Sequence, residues 1–199
     1  MNQDIFQEGI KYLLSVETKF KKLVPKGEIN FFLRPPGFEG ICSLVIEQQI
    51  SVAAAESIKN KVFQLMDNVC SNKFIDLEES LLRSAGLSRP KINYLKGIAE
   101  HEISGKLEFN KINAMDDDEA REYLCRLKGI GNWTADCYLM ACLGKQDIWP
   151  IGDIGLQEGV RKLKNLTQRP DINQMIAIAD DWRPYRSVAA NLLWRDYDE

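Results

Sequence analysis

The chain has 199 residues, of which 45% are hydrophobic and 28% charged, and its formal net charge is −3. This composition is typical of a globular protein with one domain, or with two small lobes sharing a core. No apolar run approaches the roughly twenty residues that a membrane span needs. The first residues lack the basic and apolar regions of a secretory signal. We therefore expect an intracellular protein.

The cysteine and histidine content argues against disulfides and against a zinc site. The five cysteines are an odd number, and most lie within apolar helical patterns, as buried reduced thiols do. No CxxC pair occurs, and the single histidine, His101, cannot assemble a zinc site. We expect no metal bound by side chains.

The negative net charge argues against a general nucleic-acid binder, which usually carries a basic surface. A nucleic-acid binder with this net charge would have to rely on local clusters of basic residues. The candidates are Arg89, Lys91, Lys96, Lys128 and the run 161–164.

Apolar residues recur at helical spacing through the first half of the chain. We expect a helix over 4–20, a loop over 25–38 that holds Pro25 and Gly27, and a helix over 38–49. Ser51 suits the N-cap of the next helix, over 52–66. Gln48 and Gln49 fall at the break between these two helices, where helix capping alone would explain polar side chains.

Turn and cap residues divide the second half into further helices. The predicted starts and stops are a capping box at 76–79, Gly86, Ser88, Gly105, an acidic start at 116–119, Gly144, an Asp171 cap, and Pro184 at the first position of the last helix. No stretch predicts a convincing strand. The sequence therefore predicts an all-α protein.

A tight hairpin joins the predicted helices over 118–127 and 132–143. Gly129 and Gly131 lie in the turn, where we expect positive φ. The N–H groups of Gly129, Gly131 and Trp133 would then form an anion site suited to a DNA phosphate, with Lys128 adding a charge. From the two glycines alone, a plain connector between helices is the simpler interpretation, because this motif is short.

The segment after the hairpin, Trp149 to Leu156, places Asp153 just before another predicted helix. A hairpin followed about twenty residues later by such an aspartate resembles the helix-hairpin-helix (HhH-GPD) DNA glycosylases, which remove damaged bases. Segments 34–40, 46–51 and 182–187 are similar to the 3-methyladenine DNA glycosylase II branch of that superfamily. The resemblance covers roughly residues 33–196.

The resemblance implies an all-α fold of two lobes with a DNA-binding cleft between them. Residues 1–199 would form a single glycosylase unit, with the helix-hairpin-helix at about 118–143. We expect no separate N-terminal β domain, and no iron–sulfur cluster, because no cysteine follows Cys142. The resemblance also suggests a monovalent cation held by backbone carbonyls of Cys125, Leu127 and Ile130.

Roles for individual residues follow from matching positions in that branch. Asp153 would be the catalytic carboxylate, although from its spacing alone an ordinary N-cap is the simpler interpretation. Trp133 occupies the slot of the lysine nucleophile in strand-cleaving relatives, and it would line the base pocket together with Tyr185. Cys137 and Ile154 stand where one bacterial member has tyrosines. For Trp194 we expect core packing.

The resemblance also implies a role for Gln48 and Gln49, at the break between the predicted helices over 38–49 and 52–66. Gln49 would be the wedge that enters the space left by the extruded base, and Gln48 would lie beside it. A glutamine at the wedge could also hydrogen-bond the orphaned partner base.

The implied activity is that of a monofunctional DNA glycosylase for alkylated bases, of the 3-methyladenine and 7-methylguanine type. It would act as a monomer on damaged double-stranded DNA, without a cofactor. One alternative is the same fold acting on a neutral lesion such as hypoxanthine or uracil. Others are a non-catalytic binder of DNA structure and an interaction module unrelated to DNA.

Overall fold

The computed structural model describes residues 3–24 and 32–198. All the regular secondary structure in these two ranges is helical, so the predicted all-α class is confirmed. The helices are α1 (Gln3–Val16), α2 (Phe38–Glu47), α3 (Val52–Phe63), α4 (Ser71–Ile75), α5 (Glu79–Ser84), α6 (Arg89–Ile103), α7 (Phe109–Ile112), α8 (Asp117–Cys125), α9 (Asn132–Ala141), α10 (Ile154–Lys164), α11 (Ile172–Asp180) and α12 (Arg186–Asp198).

Within the described ranges, no helix combines the length and the hydropathy that a membrane span requires. The predicted loop over 25–38 is described only from residue 32 onward, where the chain is non-helical up to Phe38. Pro25 and Gly27 lie outside the described residues.

The chain divides into two compact units, with one boundary between Leu33 and Arg34 and the other within α9, between Tyr138 and Leu139. The first unit comprises Met1–Leu33 and Leu139–Glu199. Its core is built where α10 and α1 pack against α12. Trp182 is fully buried there, with the Phe20 ring at 5.2 Å and the Trp149 ring at 5.4 Å in edge-on geometry. Such aromatic pairs stabilise a core beyond their buried area.

The second unit comprises Arg34–Tyr138. Its central element is α2, which is buried at every position from Gly40 to Ile46 and packs against α3 and α6. A helix that is apolar on all sides is stable only inside a core. The end of α2 is therefore fixed in place, and so is the break that follows it.

Several predicted helix boundaries are confirmed by cap geometry. The Ser51 side chain accepts from the Ala54 N–H, and Asp116 accepts from the N–H groups of Asp118 and Glu119. Asp171 and Gln174 form a capping box at the start of α11. Gly86 and Gly105 follow their helices with positive φ, as C-terminal glycines do.

Other boundary predictions are wrong. The first helix ends at Val16, because Glu17 is extended and caps a separate 3₁₀ helix over Thr18–Lys22. The predicted capping box at 76–79 is absent, since Glu78 precedes α5 without a side-chain cap bond. Pro184 is not the first residue of the last helix, because α12 begins at Arg186 and the Arg183–Pro184 peptide bond is cis.

The hairpin between α8 and α9 follows the prediction in position but differs at one glycine. Gly129 has φ +90°, as expected, and a Cβ there would fall inside contact distance of the Tyr94 ring. Gly131 does not have positive φ, and a Cβ there would meet no atom within 4 Å. The expectation of positive φ at Gly131 is therefore wrong, and Gly129 alone makes the turn.

Replacing each glycine by alanine should separate these two positions. Gly129→Ala should lower the free energy of unfolding by roughly 2 kcal/mol or more, because it combines left-handed backbone strain with overpacking against Tyr94. Gly131→Ala should change it by no more than about 0.5 kcal/mol, as at an ordinary surface position. Denaturant titration of both variants measures the difference. Equal losses would contradict the assignment of the turn to Gly129.

Candidate nucleic-acid interface and active site

The predicted wedge lies in the short loop between α2 and α3. Gln48 is the C-cap of α2, and Gln49 follows with a left-handed backbone at φ 57°. The Gln49 side chain is exposed. Ile50 and Val52, on either side of the Ser51 cap, are 38% and 74% exposed. The loop thus presents one amide and two aliphatic side chains to solvent.

Gln48 points inward and ties this loop to the hairpin. Its Nε2 donates to the Gly129 carbonyl at 3.0 Å and to the Thr134 Oγ1 at 2.9 Å. Thr134 is buried in the first turn of α9. The sequence did not reveal this tie, because it joins residues more than eighty positions apart. Gln48 therefore holds the loop and the hairpin turn in one fixed arrangement.

Lys91, in the first turn of α6, holds the same loop from the other side. Its Nζ donates to the carbonyls of Ile46 and Gln48 at 2.8 and 2.7 Å. The last carbonyls of a helix have no partner within the helix, so this lysine completes the end of α2. Burial lowers the pKa of Lys91. A cavity of about 200 Å³ lies beside the loop, lined by both glutamines and by Lys91.

The hairpin presents its predicted phosphate-binding residues at its surface. Lys128 and Gly131 are exposed, Gly129 is half-buried, and Trp133 is half-buried at the start of α9. An ion pair braces the two helices behind the turn, with Arg121 Nε at 2.6 Å from Oδ1 of the buried Asp136. Cys137, predicted to line the base pocket, is only 1% exposed.

The predicted cation-binding carbonyls lie in the same turn. The Leu127 carbonyl accepts from the Ile130 N–H at 3.1 Å, so one of the three already has a backbone partner. The cation stays a prediction. In the described residues, no group of three His, Cys, Asp or Glu side chains could hold a metal ion.

Asp153 lies at the start of α10, where it is the N-cap. Its Oδ1 accepts from the Leu156 N–H at 2.7 Å and from the Trp194 indole N–H at 2.8 Å. The side chain is half-buried, and the neighbouring Ile154 is 60% exposed. The helix dipole favours a negative charge at this position. The sequence predicts only packing for Trp194, whose ring centroid lies 5.8 Å from that of Phe32, and gives no sign of its hydrogen bond to Asp153.

Tyr185 is half-buried in the same unit and lies against α1. Its ring is 5.4 Å from the Tyr12 ring. Burial raises the pKa of the Tyr185 hydroxyl, and a hydrogen bond with Glu8 raises it further. The segment 182–187 that carries Tyr185 is held by Asp147, whose carboxylate accepts from Arg186 Nε at 2.8 Å and from Arg183 Nη1 at 2.8 Å. Asp147 therefore has a structural role, and Asp153 is the stronger catalytic candidate of the two.

Most of the predicted basic clusters are engaged within the protein. Arg89 pairs with Glu79, Arg161 with Glu158 and Lys164 with Glu17, with nitrogen–oxygen distances of 3.0, 2.7 and 2.7 Å. Lys91 is committed to two backbone carbonyls. Lys128, in the hairpin, is exposed and stays a candidate for binding phosphate.

The first unit contains Asp153, Ile154, Tyr185 and Trp194, and the second contains Gln48, Gln49, Lys128, Gly129, Gly131, Trp133 and Cys137. The roles predicted for these residues, and the cleft predicted between the lobes, stay predictions. Asp153 lies at the start of α10, and Gln48 and Gln49 follow the end of α2, where backbone donors and acceptors are available.

Comparison with known proteins identifies the class. A family model described as HhH-GPD superfamily base excision DNA repair protein matches residues 42–184. The chain therefore belongs to the HhH-GPD superfamily of base excision DNA repair proteins, and the resemblance inferred from the sequence is confirmed.

Two curated relatives narrow the branch. The chain is 31% identical over 173 residues to the DNA-3-methyladenine glycosylase of Bacillus subtilis, and the match covers 81% of this chain but 57% of that protein. It is 28% identical over 198 residues to the alkylbase DNA glycosidase-like protein mag2 of Schizosaccharomyces pombe, covering 96% of this chain and 93% of that protein.

A solved structure agrees in fold. The 3-methyladenine DNA glycosylase of Schizosaccharomyces pombe, in complex with abasic DNA, superposes with a TM-score of 0.88 at 26% identity. The match covers 96% of this chain and 97% of that chain. The predicted helical glycosylase fold is confirmed.

Replacing each glutamine by alanine should distinguish Gln48, which bonds to the hairpin, from Gln49, which is exposed. Gln48→Ala should lower the free energy of unfolding by about 1–2 kcal/mol, because it removes two hydrogen bonds and leaves the Gly129 carbonyl and Thr134 without that donor. Gln49→Ala should cost less than about 0.5 kcal/mol, because that side chain is exposed. Thermal melting of both variants provides the comparison, and an unchanged melting temperature for Gln48→Ala would contradict the tie.

Proposed function

We propose that this protein is a monofunctional DNA glycosylase of base excision repair that removes alkylated bases. The observation that carries the proposal is the geometry of Asp153. Two N–H donors hold one oxygen of this carboxylate at the start of α10, in a chain that also contains the helix-hairpin-helix. A carboxylate fixed before substrate arrives is suited to stabilising positive charge that develops in a transition state.

The reaction requires the target base to leave the helical stack. In this proposal, the amides of Gly129, Gly131 and Trp133 bind backbone phosphate with Lys128. Gln49 fills the space that the extruded base leaves, while Gln48 and Lys91 hold the wedge loop in position. The bent or opened DNA is then stabilised by groups that are already arranged in the free protein.

Asp153 acts on the sugar. As the glycosidic C–N bond breaks, its electron pair leaves with the base, and the deoxyribose acquires oxocarbenium character, as in glycoside hydrolysis. The Asp153 carboxylate stabilises that charge and orients the attacking water. Water oxygen bonds to C1′ of the sugar, and the carboxylate accepts the proton that the water loses.

The product is an abasic site in an intact strand. Strand-cleaving relatives use a lysine amine to form a Schiff base, and this chain has Trp133 at that position. An indole cannot form such an adduct. Water is therefore the nucleophile, and no β-elimination follows.

The aromatic residues support alkylated bases as the substrate class. Alkylation of a ring nitrogen makes many purines cationic, and the faces of Trp133 and Tyr185 attract cations. The names of the two curated relatives refer to 3-methyladenine and to alkylbases. Tyrosines stand at the positions of Cys137 and Ile154 in one bacterial member of the branch, so this chain offers fewer aromatic faces to a flipped base, and a lesion panel measures which bases it releases.

The proposal also covers the DNA substrate, the oligomeric state, the location and the cofactor requirement of the protein. The substrate is damaged double-stranded DNA, bound by a monomer inside the cell. The reaction needs no cofactor and no iron–sulfur cluster. Neutral lesions such as hypoxanthine or uracil are the alternative substrate class, and DNA binding without base release is the alternative function.

Asp153→Asn should abolish base release while leaving DNA binding intact. Asparagine is also a good N-cap, so the helix start is preserved while the charge is lost. The single-turnover excision rate on methylated DNA should fall roughly a hundredfold to a thousandfold or more. Affinity for DNA that contains a tetrahydrofuran abasic analogue should stay within about twofold, because one neutralised side chain removes no phosphate contact.

The matched control for that experiment is Asp147→Asn. It breaks the pairing with Arg183 and Arg186, so it should lower the melting temperature while the chemical step stays measurable. An Asp153→Asn protein that releases bases within a few-fold of the wild-type rate would rule out this catalytic assignment. A wild-type protein that binds the DNA but releases no base from a lesion panel would support the non-catalytic binder instead.

Base release should not pass through a covalent bond between the protein and DNA. Incubation with lesion DNA or abasic DNA in the presence of borohydride should give no protein–DNA adduct, and the strand should break only after alkaline treatment. A strand-cleaving glycosylase run in parallel shows that trapping works. An efficient adduct in this protein would contradict the monofunctional assignment.

A further inference from the structure

The indole of Trp194 makes a specific contact that packing does not require. Its N–H donates to Oδ1 of Asp153 at 2.8 Å, and the same oxygen accepts from the Leu156 N–H at 2.7 Å. Trp194 belongs to α12 and Asp153 is the N-cap of α10, so the bond joins two helices through residues 41 positions apart in sequence.

We propose that Trp194 is a positioning residue that fixes the catalytic carboxylate. This inference rests on the proposed function, because it assigns Trp194 a role only through Asp153. With both donors on one oxygen, the side chain has a defined orientation, and the plane of its carboxylate cannot rotate without breaking a bond. The cost of orienting the charged group is then met on folding and not during the reaction.

Two other tryptophans of the same unit show that the bond is not a by-product of burying an indole. The Nε1 atoms of Trp149 and Trp182 are buried, and neither has a hydrogen-bond partner among the described residues. Trp194 is only half-buried, so water could have satisfied its N–H. It is nevertheless directed at the carboxylate of Asp153, where a hydrogen bond to a charged group is strongest.

The packing around Trp194 gives the donor a fixed position. The Phe32 ring lies 5.8 Å from the indole, and the Phe32 N–H donates to Asn191 Oδ1 at 3.0 Å, one turn earlier in α12. On the other side, α10 and α12 approach closely at Gly159, where an added Cβ would lie 3.0 Å from the Leu193 Cβ. The distance between donor and acceptor is thus set by packed helices.

The test compares two tryptophan-to-phenylalanine variants. One loses a paired N–H at the half-buried Trp194, and the other loses an unpaired N–H at the fully buried Trp182. Trp194→Phe removes the donor to Asp153, and Trp182→Phe removes an unpaired one. We expect the single-turnover excision rate on methylated DNA to fall about tenfold in Trp194→Phe, the equivalent of one hydrogen bond to a charged group. Trp182→Phe should stay within about twofold, and both should bind abasic-analogue DNA normally.

A double-mutant cycle separates positioning from general damage. In an Asp153→Asn background, Trp194→Phe should slow the residual rate by less than about twofold, because the charge that the indole orients is already gone. Equal slowing in both backgrounds would overturn the inference, and so would a Trp194→Phe rate equal to that of Trp182→Phe. An Asp153→Asn protein with near wild-type rate would instead remove the proposed function itself.

Loss of packing is controlled by a change that keeps the shape of the side chain. Incorporating 3-benzothienylalanine in place of Trp194 replaces the N–H by sulfur in a ring of nearly the same size. This protein should fold with the wild-type melting temperature within a few degrees, and it should show the same rate loss as Trp194→Phe. A wild-type rate in this protein would overturn the positioning role even if Trp194→Phe proved unstable.

Discussion

Every helix ends in backbone N–H or C=O groups that no residue of the same helix can pair, and an all-helical chain has to satisfy them elsewhere. In this protein several of the candidate functional residues lie at such ends. Asp153 accepts from the first turn of α10, Lys91 donates to the last carbonyls of α2, and Gln48 donates to the carbonyl of Gly129 in the hairpin. The requirement that completes the helices therefore also orients the groups proposed to act on DNA.

The ion pairs show how the basic residues of this acidic chain are used. The net charge is −3, and several basic residues are neutralised by carboxylates within the protein. Long-range attraction between this chain and a polyanion is correspondingly weak. Binding that relies on backbone amides and a wedge is short-ranged and depends on shape, so such a protein would bind a locally deformed duplex better than an undistorted one.

The sequence predicted those features that depend on neighbours in the chain. The Ser51 and Asp171 caps and the turn at Gly129 are local, and each carries its own residue signature. The sequence did not predict features that depend on tertiary contacts. The Trp194–Asp153 bond and the inward turn of Gln48 join distant segments, and a single sequence holds no signal of such pairs. Short helices such as α4 and α7 are set by packing and lack a periodic pattern.

Hydrogen bonds to uncharged acceptors hold the loop between α2 and α3. The Gln48 amide donates to the Gly129 carbonyl and the Thr134 hydroxyl, and the half-buried Lys91 of α6 donates to two carbonyls at the end of α2. Mobile ions screen exposed charge pairs but act weakly on bonds of this kind. Raising the ionic strength would thus weaken attraction to phosphates without loosening the surface that receives them. In the proposed function, salt would therefore change how strongly DNA binds without changing the shape that the protein offers to it.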